Sequence, residues 1–384
     1  MNFQKITADF AAQHVSGQTD LQTDQLFSKE IRRKMGEAGL FRIGLPERYG
    51  GDNGSCLDLL QAGETFVRHG RNLGLGVSWI FQQIIARHLL GTFGRPEQCC
   101  QYLKAATRGK CMLSFAVSEP GRGASPKTLT TKATWQEQFY CLQGEKSYLT
   151  NGPIADVFIV IAVTDESTPR KAFTAFLVPR NTPGLTVLPP MSLNFLKSSP
   201  HGAMNMNQCQ IEQQALLGTK GKAWQDMVVP LGEIEDTIMM GPVLGGMAAQ
   251  LDILKNAVQN IVTPEDRTLQ SEAGALVALF AAMETIAYEA ARRLDDLSNG
   301  SLQPDGDKSP VPLVIALARL ATEYCADITR LTQQVKISLP EMFFRLQTDI
   351  ASLGALQKRR LQIRQEKTGR ALFHNYTSNI KTLR

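Results

Sequence analysis

The residues able to do chemistry lie in a few short segments of the 384-residue chain. In Phe115-Ala116-Val117-Ser118-Glu119-Pro120-Gly121-Arg122-Gly123 a strand runs into a glycine-rich turn. Its exposed backbone N–H groups and the Ser118 hydroxyl can meet the polar edge of a ring. The stretch from Gly144 to Gly152 reads as hairpin-like, and Tyr148 and Thr150, two apart, share one strand face. Tyr148 reads equally as an ordinary sheet aromatic. Leu231 to Gly241 carries Glu233, Glu235 and Asp236. Read from the residues alone, these acids form an acidic first helical turn, which the helix dipole favours and which needs no chemistry at all. His201, between Phe195 and Gly202, offers either a ligand contact or an exposed loop imidazole.

These segments need elements to hold them. Ile31, Met35 and Ala38 are spaced as one helical face that stops at Gly39; Phe81, Ile84, Ile85 and Leu89 form another, ended by Gly91 and Gly94-Arg95-Pro96. Short β-like runs follow at Met112 to Val117, Phe139 to Leu142, Val157 to Val163 and Phe173 to Val178. No long helices separate them, so a sandwich or small barrel is expected rather than a parallel dinucleotide-binding sheet. After Gly221 the helical period returns, with Val243, Met247, Leu251, Leu254 and Val258 on one stripe and helices expected over 272–298, 311–336 and 341–372. Ser298 to Ser309 reads as a flexible connection. The expected domains are helical over 1–110, β over 111–220 and helical over 221–384, an α+β fold.

Composition narrows the function class. The net charge of +5, from 41 basic and 36 acidic side chains, gives no argument for nucleic-acid binding. The basic residues thicken at Lys358, Arg359, Arg360, Arg364, Lys367 and Arg370, a solvated helix face or an anion-contacting one. The first residues lack the apolar core of a signal peptide, and no apolar run approaches the roughly 20 residues that span a bilayer. Seven cysteines form no CxxC pair and no Cys/His alternation, so no metal site is expected and the thiols read as reduced. A cytoplasmic protein without membrane insertion is the expectation.

Three segments together resemble the acyl-CoA dehydrogenase family. Gly39-Leu40-Phe41-Arg42-Ile43-Gly44-Leu45-Pro46-Glu47-Arg48-Tyr49-Gly50-Gly51 is similar to that family's "GL.G.G.PE.YGG" segment, the turn after Val117 to its "TEPxxGSD" signature, and Gly144 to Gly152 to its "G.K.[WF]IT.G". Phe195 to Gly202 resembles its "G.R.S" segment. The resemblance covers essentially the whole chain. It implies an N-terminal helical domain, a middle β-barrel or sandwich and a C-terminal four-helix bundle, with FAD as cofactor. By it, Phe115, Val117, Ser118, Gly123, Tyr148 and Thr150 form the flavin-facing set: Ser118 bonds the ring, Tyr148 packs on it and Thr150 bonds near N5 or O4. The serine that holds the CoA thioester arm is replaced by Ala124, with Ser125 one place on.

The family's reaction is removal of the α-proton of an acyl-CoA by a glutamate while hydride leaves the β-carbon for flavin N5. The usual "YEGT" position is here Ile350 to Gln357, without an acid. Some members place the glutamate on an earlier helix, and that alignment selects Glu235 as base, with Asp236 in place of the substrate-side arginine that follows it. A base there needs an apolar setting. The adenosine-side segments also differ, at Asn260 to Arg267 and near Thr332 to Pro340. The resemblance implies an acyl-CoA or other acyl-thioester substrate, an electron-transferring flavoprotein as oxidant, and a homo- or hetero-oligomer. The departures keep two alternatives open: a catalytically impaired subunit working in a heteromer with an active paralogue, and a flavin-dependent oxygenase on the same fold.

Overall fold

A computed structural model describes residues 2–18, 27–258, 266–298, 309–335 and 338–381. Residues 299–308 of the connection read at Ser298 to Ser309, and residues 260–265 of the Asn260 to Arg267 segment, lie outside the described residues. The chain opens with helices α1 (Phe3–His14), α2 (Lys29–Glu37), α3 (Cys56–Gly70), α4 (Leu73–Ile85) and α5 (Pro96–Ala106). Eight strands follow: β1 (Leu113–Ala116), β2 (Lys132–Gln136), β3 (Phe139–Thr150), β4 (Val157–Asp165), β5 (Ala172–Pro179), β6 (Leu185–Val187), β7 (His201–Glu212) and β8 (Leu216–Leu217). The chain then returns to helix in α6 (Val229–Ile238), α7 (Met240–Val258), α8 (Arg267–Ser298), α9 (Val311–Val335) and α10 (Glu341–Lys381).

The strands form one mixed sheet in the order β6-β7-β3-β2-β4-β5-β8, with β1 pairing parallel to β4. Strand β4 explains how this sheet serves two layers. From Val157 to Val163 it is apolar and buried throughout, which a period of two divides between faces. Phe158, Val160 and Ala162 join Tyr140, Leu142, Phe176, Met204 and Ile211 in a core enclosed by the sheet. Val157, Ile159, Ile161 and Val163 turn the other way, into the main core shared with the helices. Strand β7 escaped the sequence reading because Asn205, Asn207, Gln208 and Gln210 dilute its apolar pattern; only Met204, Met206, Cys209 and Ile211 point inward.

Helices α7, α8, α9 and α10 pack as the expected C-terminal four-helix bundle, and α7 also lies against α3. That approach needs glycine. A Cβ added at Gly241 or Gly245 would stand 2.1 and 2.2 Å from the backbone oxygens of Leu60 and Glu64. The N-terminus of α3 is closed by a capping box of Ser55 with Asp58, and Asp295 of α8 accepts from the Cys56 and Leu57 amides at 2.7 and 3.2 Å. Two helical stretches, Trp224–Val258 and Arg267–Leu297, are long and apolar enough to cross a membrane by length and composition, although neither shows a 20-residue uncharged run. The apolar window of the first is 83% buried, which is the pattern of a core helix.

Helix α4 sits between these layers, with all 13 residues buried. A helix apolar on every side packs on every side, and its few polar side chains must then find partners. Gln83 donates to the Phe41 and Ile43 carbonyls of the turn-rich N-terminal loop. Gln82 donates to the Cys111 carbonyl and accepts from the Leu113 amide at the start of β1. The Ser78 carbonyl accepts from Asn151 at 3.0 Å, its hydroxyl meets Ser199, and Asn72 donates to the Ser198 hydroxyl. Asp349 of α10 completes the seam by accepting from the Leu196 amide at 2.7 Å. Asp349→Ala orphans that buried amide and is expected to cost about 1–3 kcal/mol. Asp349→Asn, which keeps a carbonyl acceptor, should lose less, and urea denaturation midpoints compare the two.

Candidate functional site

Strand β1 ends at Ala116 and the chain enters the glycine-rich turn. The turn closes on itself, with Glu119 and Gly123 exchanging backbone hydrogen bonds of 3.0 and 3.1 Å. Gly121 and Gly123 both take positive φ, 69° and 62°, so their lack of a side chain is a backbone requirement. The Glu119 side chain is turned inward instead and is 3% exposed. It accepts from the Thr130 amide and hydroxyl at 2.8 and 2.9 Å and from the Thr131 amide at 2.8 Å. Lys146 of β3, fully buried, brings its Nζ to 3.2 Å from Glu119 and donates to the Val117 carbonyl at 2.9 Å. Burial pushes the Glu119 carboxyl up, but the bonds from Thr131, Lys146 and Thr130 outweigh it and hold the group at about 2.

That pair sets the geometry of β3. The Ser147 amide donates to the Ser118 carbonyl at 2.9 Å, joining the turn to the strand. Register then slips between Lys146 and Leu149, and Tyr148 takes φ +57°. A bulky residue in the left-handed region stores strain that the surroundings must hold. The outcome is a tyrosine 63% exposed, beside the buried Leu149 and the half-buried Thr150. Tyr148 is turned to solvent at a bulge and not by plain alternation, and Thr150, two residues on, is half-buried. Thr150 is tied at both ends: its carbonyl accepts from the Ser114 hydroxyl at 2.8 Å, and its hydroxyl lies 3.2 Å from Nε2 of His201.

Of the other flavin-side and thioester-side positions, Val117 is buried, Phe115 and Ser118 are half-buried, Ala124 and Gly123 are exposed, and Ser125 begins a short turn over Thr128 and Leu129. The structure thus joins Val117, Ser118 and Gly123 to Tyr148 and Thr150 through Glu119 and Lys146, two residues to which sequence reasoning gave no role. The available signal was a lysine at an inward position of an apolar strand, which demands a buried counter-charge.

Glu235 and Asp236 belong to a different constellation. Helix α6 begins at Val229, with Pro230 in its first turn, so Glu233, Glu235 and Asp236 all fall beyond that turn. The first-turn reading of that cluster is corrected accordingly: the chain is already helical from Trp224 through a wide π-type turn, several residues before the acids. The balancing charge comes from α10. Arg360 reaches Glu235 at 3.1 Å and also Asp236, and Arg364 reaches Asp236 at 2.8 Å. Burial pushes Asp236 up to about 6 despite both guanidiniums. Asp236 is spent on these arginines, and the basic thickening near the C-terminus contributes at least Arg360 and Arg364 to an internal tie. At the other base position, Gly354 lies within α10 with open space around it.

The fold places the chain in a known class. The butyryl-CoA dehydrogenase structure from Megasphaera elsdenii matches it with a TM-score of 0.84 over 97% of both chains, at 20% identity. The prolyl acyl carrier protein oxidase AnaB matches with a TM-score of 0.78 over 91% of this chain and 93% of its own, at 21% identity. Family profiles for the acyl-CoA dehydrogenase N-terminal domain and middle domain match residues 1–110 and 114–209. Similar curated proteins include the 3-(aryl)acrylate reductase of Clostridium sporogenes, 31% identical over 67% of this chain and 66% of that protein. An acyl-CoA dehydrogenase of Bacillus subtilis is 29% identical over 56% of this chain and 57% of its own. The chain belongs to the acyl-CoA dehydrogenase family. It spans between about half and two thirds of the length of the curated relatives it matches.

Family membership points to a flavin. The ring-side residues fit one: an exposed aromatic on strained backbone, a half-buried hydroxyl on each side, and a buried Ser147 Oγ without a hydrogen-bond partner next to them. Two outcomes test how the site is held. Lys146→Met leaves Glu119 charged and buried and is expected to cost about 3–5 kcal/mol in chemical denaturation. For pH, the folded pKa of Glu119 lies below its ordinary 4.5, so its stabilisation is complete above 4.5 and is lost as pH falls toward about 2. Asp236 and Asp349, raised to about 6, act oppositely between their ordinary 3.8 and 6, where stability falls as pH rises. Glu119→Gln should flatten only the acid limb of the stability–pH curve.

Proposed function

We propose that this chain is an oxidoreductase that uses FAD to act on the Cα–Cβ bond of an acyl-CoA or related acyl thioester. The observation that carries the reading is the ring platform: Tyr148, 63% exposed at φ +57°, follows Ser147, whose amide is bonded to Ser118, in a strand anchored by the buried Lys146–Glu119 pair. An exposed aromatic held on strained backbone has a use when a planar partner covers it. The family and the names of relatives, which include dehydrogenases and an acryloyl-CoA reductase of Anaerotignum propionicum, support the bond and the cofactor class. FAD when bound supplies the hydride-accepting N5. The chain's own residues contribute as follows: Ser118 and Thr150 bond the ring edge, Tyr148 covers a face, and Ala124 and Ser125 lie where the thioester arm passes.

Glu235 remains the proposed base for the α-proton. Its setting makes the assignment a demanding one, because a proton taken by Glu235 converts half of the Arg360 ion pair to a neutral acid. The same observation favours a second reading, in which Glu235 and Asp236 serve to anchor α10 and the chain is a catalytically impaired member of a heteromer. An electron-transferring flavoprotein is the proposed oxidant in the first reading. A cytoplasmic setting belongs to the same proposal and draws support from seven cysteines held as free thiols.

The experiment is anaerobic. FAD-reconstituted protein mixed with an acyl-CoA should bleach at the flavin bands, and Glu235→Gln should slow the bleaching by about 100-fold or more. Equal rates for the two proteins would remove Glu235 from the mechanism. A colourless protein that copurifies with a flavin-bearing paralogue would establish the second reading, and rapid reoxidation with a hydroxylated product would favour an oxygenase.

A further inference from the structure

The Thr150 hydroxyl is not free to choose its partner. His201, the first residue of β7, faces it across the β3–β7 ladder, where the two residues pair directly. Nδ1 of His201 lies 2.9 Å from the Ser199 carbonyl oxygen. A carbonyl only accepts, so Nδ1 carries a proton. Partial burial lowers the proton affinity of His201 and the bond to Ser199 offsets only part of that, so the ring is neutral at pH 7. A neutral imidazole protonated at Nδ1 has a bare Nε2, which can only accept. The contact of 3.2 Å between Nε2 and the Thr150 hydroxyl therefore runs one way, with Thr150 donating. Its single proton is then committed, and only lone pairs remain for anything else that meets Thr150.

We propose that His201 is a positioning residue which, through the Ser199–His201–Thr150 chain, locks Thr150 as a hydrogen-bond acceptor and so favours a flavin whose N5 bears hydrogen over one whose N5 is bare. The inference rests on the flavin reading above, taken with N5 rather than O4 as the atom that meets Thr150. A flavin with a bare N5 would gain nothing from a hydroxyl already turned away, whereas one whose N5 bears hydrogen would find an acceptor in Thr150. His201 touches no reacting atom in this scheme. It biases the site by fixing a rotor, and the effect is a raised flavin potential relative to a site in which the Thr150 hydroxyl can rotate. Ser199 is itself held from behind, by the Ser78 hydroxyl of α4 at 3.0 Å, so the chain of hydrogen bonds starts in the rigid buried helix.

Two measurements decide it. In the flavin-free protein, nitrogen-15 chemical shifts of His201 at pH 7 should report the tautomer protonated at Nδ1; the Nε2-protonated tautomer would overturn the proposal without reference to any cofactor. In the FAD-bound protein, His201→Phe removes the acceptor and should lower the two-electron potential by about 30 mV, a tenfold change in the preference for the reduced state. His201→Gln, whose amide oxygen can accept from Thr150, should restore most of that. The His201→Phe shift should vanish when Thr150 is already Val. An unchanged potential in His201→Phe, or a shift that persists in the Thr150→Val background, overturns the role assigned to His201. A wild-type chain that holds no FAD overturns the flavin reading instead, and the tautomer still decides the direction of the hydrogen bond.

Discussion

The structure depends on one constraint: the buried polar side chains of helix α4 bond to segments from distant parts of the chain. Every residue of that helix is inside the protein, yet it carries Ser78, Gln82 and Gln83, with Asn72 at its cap. Asn72 caps its own helix by accepting from the Leu75 amide, while the side chains of Ser78, Gln82 and Gln83 bond to segments brought from elsewhere in the chain. The partners are the 39–44 loop, the start of β1, Asn151 at the end of β3, and the Ser198–Ser199 turn. All of these flank the candidate site or the motif that leads to it. A slip of the helix by one residue would break bonds in each of these segments at once, which is why a helix without a charged side chain can hold a site whose parts are far apart in sequence.

Within that frame, the Lys146–Glu119 pair converts positioning into shape. A buried charge pair contributes little net stability when compared with apolar residues, but it is costly to leave half-made. Its value here lies in placement: one ammonium group joins the Val117 carbonyl to the Glu119 carboxylate, and the carboxylate in turn gathers the Thr130 and Thr131 amides. The turn that bears Ser118 is thereby tied to the strand that bears Tyr148 and Thr150. The strained Tyr148 backbone persists because the chain is fastened on both sides of it, at Ser147 to Ser118 and at Thr150 to Ser114.

The second charge cluster has a different character. Asp236 lies between Arg360 and Arg364, with Glu235 on the outer side of Arg360. Two carboxylates against two guanidiniums make a neutral group, so burial is tolerated, and the last helix is attached to α6 across more than a hundred residues of chain. The position that the family resemblance assigns to catalysis is thus also a structural joint. These two roles compete for the same carboxylate, and the balance between them depends on whether Arg360 stays in place when a substrate enters.

The order of helical, β and helical regions was legible in the sequence because apolar period is local: Ile31, Met35 and Ala38, or the unbroken run from Val157 to Val163, declare their element within a few residues. The segments around Ser118 and Tyr148 were legible for a similar reason, since a glycine-rich turn and a hairpin carry their geometry in adjacent residues. Strand β7 was not, because the packing of Met204 and Met206 inside the sheet compensates for polar neighbours that obscure the alternation. Nor was the pairing of Glu235 with Arg360, of Glu119 with Lys146, of Leu196 with Asp349, or of Thr150 with His201. Charge and hydrogen-bonding capacity are written at each position, but which group answers which is decided by distance in space. The sequence alone determined which residues could hold a ring or take a proton; the tertiary structure decided which of them were already engaged, because a buried polar group binds the nearest complementary one the fold presents.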